Sequence, residues 1–78
     1  MEKKPQLRRE DLLLKFGEHL KKVRNKEGLS QEALALKVGI SPSSIARIET
    51  GKINTTISTV MHIAEKLQIP FADLFDFE

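Results

Sequence analysis

The sequence holds no cysteine, no tryptophan and no tyrosine, and only two histidines and three prolines among 78 residues. Without cysteine there is no disulfide staple, no thiolate zinc site and no cysteine nucleophile. His19 and His62 lie far apart, with no cysteine or regularly spaced acid to join them, so they are poor material for a metal site and are expected at the surface. Met61 is expected at the edge of the core. The longest apolar runs are a few residues long, which excludes a membrane-spanning helix, and the N-terminus lacks the apolar region of a secretory leader. A soluble, cytoplasmic protein is therefore expected. No nucleophile–base pair, phosphate loop or metal cluster can be assembled, and a chain this short leaves little room for a substrate pocket, so an enzyme is the poorest reading. No cofactor is implied.

What is present is charge, unevenly spread. The formal net charge is only +2. Residues 1–28 carry nine Lys or Arg against five Asp or Glu, residues 29–54 three against two, and residues 55–78 one against four. A basic front and an acidic tail are compatible with a nucleic acid on one side, or simply with a solvated face.

Residues 1–10, "MEKKPQLRRE", are polar and aperiodic and read as a flexible basic arm whose Lys3, Lys4, Arg8 and Arg9 could follow a duplex or stay solvated. Residues 11–78 read as one domain. In "DLLLKFGEHLKKVRNKEG", Leu12, Leu13, Phe16, Leu20 and Val23 share a helical face, with Asp11 as N-cap and Gly28 as left-handed stop. "SQEALALKV" starts from Ser30 as cap and turns Leu34, Ala35 and Val38 inward. "SPSSIARIET" restarts with Ser41 as cap, Pro42 in the first helical position, and Ile45 and Ile48 buried. Thr56 caps a fourth helix with Ile57, Val60, Ile63, Ala64 and Leu67 inward. "PFADLF" reads as a short fifth helix. No strand pattern appears. The fold class is all-α, a compact five-helix bundle.

The second and third helices are separated by only a few residues. A small Ala35 permits close approach, and Gly39 accepts the positive φ of a sharp corner. Two helices fixed at roughly 90–120° leave one side of the second projecting, a shape that fits the major groove of B-DNA. That projecting side is Pro42, Ser43, Ser44, Ala46, Arg47 and Thr50, short polar groups around one long cation. Glu49, four residues after Ile45, lies at the edge of the buried stripe and needs a partner. Arg24, after Val23, is the natural one, a structural ion pair.

From Leu20 to Leu74 the chain resembles the Xre family of helix-turn-helix regulators, the group containing phage lambda repressor and Cro. The residues carrying the likeness are "LSQEALALKVGISPSSIARIETGK" and "INTTISTVMHIAEKLQIPFADLF", in particular Gln31, Ala35, Gly39, Ile45, Ile48, Glu49 and Gly51. The resemblance implies a lambda-repressor-like bundle with the helix-turn-helix at helices 2 and 3, and double-stranded DNA as partner. It implies that Pro42, Ser43 and Arg47 occupy base-reading positions and that Gln31, Ser44, Lys52 and Asn54 approach phosphates. It also implies pairing of Arg24 with Glu49. The family often has Gln or Arg where this chain has Pro42, which offers only apolar contact. Arg47 is then the main candidate for a bidentate contact to guanine.

Phe71, Leu74 and Phe75 are expected to close the bundle. Phe77, with whatever else stays exposed, suggests a self-association patch, so Phe71, Phe75 and Phe77 are candidates for dimer contacts. The reading is a sequence-specific transcriptional regulator of bacterial or phage type, nucleoid-associated, homodimeric on a palindromic operator. Repressor, activator and antitoxin roles stay open. The alternative is a protein-interaction module, its acidic, aromatic C-terminus binding a toxin-like partner or RNA polymerase.

Overall fold

The computed structural model describes residues 8–78. Four α-helices follow in order: α1 (Glu10–Lys26), α2 (Gln31–Val38), α3 (Pro42–Glu49) and α4 (Ile57–Leu67), with a 3-10 helix over Phe71–Phe75 closing the chain. No strand occurs among the described residues. The fold is the all-α bundle expected, with one change: the fifth element is a 3-10 turn rather than an α-helix. Five residues close too few i→i−4 bonds to hold an α-helix, and tighter winding is common in such short pieces.

Local chemistry sets most boundaries. Ser30 Oγ accepts from the Ala33 N–H at 3.0 Å, Ser41 Oγ from the Ser44 N–H at 3.1 Å, and Thr56 Oγ1 from the Thr59 N–H at 3.2 Å. Each cap satisfies one orphan donor and contributes about 1 kcal/mol. α1 departs from expectation. It begins at Glu10, and Arg9 at its cap position makes no side-chain cap bond. Asp11 lies inside the first turn, where its carboxylate takes two bonds from Arg9, at 3.0 and 2.8 Å. A negative charge there suits the positive end of the helix dipole, and the Arg9 bonds hold the Asp11 carboxyl below its usual range.

The corner between α2 and α3 is built as the sequence suggests. Gly39 has φ +88°, and the Ala35 carbonyl accepts both the Gly39 and the Ile40 N–H, at 2.8 and 3.1 Å. Ala35 itself is buried. Every element contributes one wholly buried side chain to the core: Leu20, Leu34, Ile45, Ile63 and Leu74. Each is worth about 1.5–3 kcal/mol in transfer terms.

Two residues expected inward are not. Leu12 is exposed near the start of α1 and Ile57 is 61% exposed at the start of α4. The buried faces of both helices begin one turn later, at Phe16 and Val60. Leu12 and Ile57 instead line an apolar groove with Phe75. At the C-terminus only Leu74 is fully buried, while Phe71 and Phe75 are 37% and 40% exposed. Phe77, expected to be left outside, is half-buried, its ring 6.5 Å from Phe16 and 5.8 Å from His19.

Candidate nucleic-acid interface

The outer side of α3 carries the residues expected there. Pro42, Ser43, Arg47 and Thr50 are exposed, and Ser44 and Ala46 are half-exposed. Thr50 Oγ1 donates to the Ala46 carbonyl at 2.8 Å, so this hydroxyl closes the end of the helix. The hydroxyls of Ser43 and Ser44 lie 3.1 and 2.8 Å from Ser41 Oγ, one small cluster over the first turn. Arg47 differs from these. Its side chain is exposed and makes no hydrogen bond or ion pair among the described residues. An exposed guanidinium with all its donors uncommitted can form the planar fork that bidentate recognition needs.

The loop after α3 turns on Gly51, whose φ is +71° and whose Cα faces Leu14 of α1 so closely that a Cβ would lie 3.0 Å from the Leu14 nitrogen. The next N–H, of Lys52, donates to the Arg47 carbonyl at 2.9 Å. The Lys52 and Asn54 side chains are exposed on this loop. Arg8 joins them from the far end of the sequence, its Nη2 donating to the Lys52 carbonyl at 2.9 Å while Nε pairs with Glu10 at 2.7 Å. Arg8 and Arg9 thus have folded partners, whereas Lys3 and Lys4 of the basic arm lie outside the described residues.

Behind this surface sits the Arg24–Glu49 pair. Both side chains are buried, at 6% and 5% residue exposure. Arg24 Nε donates to Glu49 Oε2 at 2.6 Å and Nη2 to Oε1 at 3.0 Å, a two-pronged contact. The carboxylate's hydrogen bonds raise the guanidinium pKa above its ordinary value, with burial opposing. Arg24 Nη1 also reaches the Leu29 carbonyl at 2.8 Å. Gln31, expected to face a phosphate, is half-buried and donates from Nε2 to Glu49 Oε1 at 3.0 Å.

Several positions that hold the interface in place are not evident from sequence pattern. Gly17 lies mid-α1 directly against the end of α3. A Cβ there would fall 2.6 Å from the Glu49 carbonyl oxygen and closer still to that of Ile48. A glycine inside an otherwise helical stretch is the available signal. The two histidines are ties between elements rather than bystanders. His62 Nε2 lies 2.8 Å from the Val38 carbonyl and His19 Nε2 lies 2.7 Å from the Asp73 carbonyl. With a carbonyl as acceptor, Nε2–H is the donor in each.

Comparison with known proteins matches the same region. Residues 20–74 fit the HTH_3 helix-turn-helix family model. The HTH-type transcriptional repressor RghR of Bacillus subtilis (strain 168) is 38% identical over 60 residues, 76% of this chain but 44% of RghR, so the chain spans less than half of that relative. Control protein C.BamHI of Bacillus amyloliquefaciens is 31% identical over 68 residues, covering 86% of this chain and 84% of C.BamHI. Among solved structures, the restriction-modification controller protein C.AhdI from Aeromonas hydrophila superposes with a TM-score of 0.77 at 36% identity, covering 81% of this chain and 96% of that one. No helix among the described residues is long and apolar enough to cross a membrane. With the corner, the projecting helix and their supports all inside the matched span, the chain belongs to the Xre-type helix-turn-helix family, the DNA-binding fold of transcriptional regulators.

Proposed function

We propose that this protein is a sequence-specific regulator that binds a palindromic operator as a homodimer. The observation that carries this reading is Arg47: exposed, uncommitted, and set among short polar side chains on the outer side of α3. A helix that only packed would have no reason to keep long side chains off that surface. Arg47 then reads a guanine through its O6 and N7, Ser43 adds a polar contact, and Pro42 lies against an apolar edge such as a thymine methyl. Gln31, Ser44, Lys52 and Asn54 approach phosphates and set the register. The binding unit is residues 11–78, preceded by a basic arm over residues 1–10.

One recognition helix supplies few base contacts, and a two-fold pair placing them about 34 Å apart doubles them. The exposed Phe71 and Phe75, and the apolar groove of Leu12, Ile57 and Phe75, support self-association through the side built from α1, α4 and the C-terminus. Regulation follows from occupancy, either by excluding polymerase or by touching it when bound nearby. Control and controller proteins among the relatives make a local regulator of this kind a fitting role.

Selection of bound sequences from a random duplex pool, using the full chain, tests the reading. An enriched motif with two-fold symmetry and a guanine in each half supports it. A pool that stays unenriched while the protein is folded refutes it.

A further inference from the structure

Gln31 opens α2, and its half-buried amide is hydrogen-bonded to the ion pair behind it. Nε2 donates to Glu49 Oε1, the same oxygen that takes the Arg24 Nη2 bond. The amide carries two N–H donors. The bond to Glu49 uses one and orients the planar group, and the second has no acceptor among the described residues. No buried side-chain N or O atom among those residues lacks a hydrogen-bond partner, so Arg24 and Glu49 are fully engaged within the fold. Arg24 also binds the Leu29 carbonyl, just before the Ser30 cap of α2, and Glu49 is the last residue of α3. One buried pair therefore holds the start of α2 and the end of the projecting helix together.

We infer that Arg24 and Glu49 are positioning residues for DNA binding, holding the Gln31 amide in the rotamer from which its remaining N–H meets a phosphate. This rests on the reading above, in which Gln31 is a phosphate contact. A glutamine loses considerable rotamer freedom when it is fixed. Here that freedom is lost on folding, so binding does not have to remove it, which is preorganisation in the ordinary sense. The charges agree. A lone carboxylate 3.0 Å from the amide would repel an incoming phosphate, and the guanidinium of Arg24 neutralises it. Arg24 and Glu49 touch no DNA themselves.

A double-mutant cycle on the selected operator tests this. Dissociation constants are measured for wild type, Gln31→Ala, the paired replacement Arg24→Met with Glu49→Leu, and all three changes together, each checked by circular dichroism and thermal melting. The expected result is about a tenfold loss for Gln31→Ala in the wild-type background, the size of one hydrogen bond to a charged group. In the replaced background the same change should cost less than about twofold, and the paired replacement alone should bind as weakly as Gln31→Ala while staying folded. Equal penalties in both backgrounds overturn the inference and leave Gln31 a DNA contact. No penalty in either background removes Gln31 from the interface altogether, and the inference with it. Should the replaced protein not fold, NMR relaxation of the Gln31 side-chain amide in the free wild type decides. An order parameter near the rigid-backbone value of about 0.85 supports the inference, and one below about 0.6 overturns it.

Discussion

Gly17 of α1 rests against the carbonyl of Glu49, the last residue of α3, with no room for a side chain between them. α3 is thus seated backbone to backbone on α1, a second constraint on its projection beside the corner at Gly39. In an ordinary helix interior, replacing glycine by alanine gains about 1 kcal/mol. Here the new methyl would meet two backbone oxygens that cannot swing aside. Gly17→Ala should therefore destabilise by about 1–3 kcal/mol, as overpacked cores do. A urea midpoint that rises instead would show that the contact is looser than described.

The buried Arg24–Glu49 pair predicts unequal single and double changes. Arg24→Ala leaves a buried carboxylate with Gln31 as its remaining side-chain partner and should cost about 3–5 kcal/mol, enough to threaten a domain of this size. The replacement Arg24→Met with Glu49→Leu restores an uncharged interior of similar volume and should cost much less. Denaturant titration of both proteins checks this. A double change as harmful as the single one would mean that the pair's geometry, not its charge balance, is what the fold needs.

Lys52 lies on the loop that the Arg47 carbonyl and Arg8 hold in place. Its side chain is exposed, so a phosphate contact should be independent of sequence. Lys52→Ala should weaken cognate and random duplexes alike and lower the slope of log K against log salt by about 0.9. Filter binding across a salt series reads that slope directly, and an unchanged slope takes Lys52 off the phosphate list.

Self-association through the C-terminal aromatics predicts a selective effect at Phe71. Its ring is exposed and touches Phe75 at 5.0 Å, outside the core. Phe71→Ser should leave the melting temperature nearly unchanged and raise the dimer dissociation constant roughly tenfold, the size of a modest hot spot. Sedimentation equilibrium measures it. Dimers as tight as wild type would place the interface elsewhere.

The features legible in the sequence are those decided within a few residues. Ser30, Ser41 and Thr56 cap their helices as expected because each needs only its own N–H three residues on. Gly39 was legible for the same reason. Asp11 was not, because Glu10 and Arg9 offered a competing start and a competing partner. Periodicity marks the inward side of α4 but not where cover ends, so it places in the core an Ile57 that borders an open groove. Arg24 with Glu49 was anticipated, since a half-buried acid demands a cation. The third member, Gln31, was not, and neither were Gly17 or the two histidine ties. Each depends on a contact between elements distant in sequence, which composition and spacing do not encode.

The most direct measurement is binding of Arg47→Ala to the selected operator and to that operator with each base pair changed in turn. Loss of about 1–3 kcal/mol on the operator, with indifference appearing at one guanine per half-site, is the predicted result. Wild-type affinity with every base preference intact would contradict it, and would mean that residues other than Arg47 read the operator.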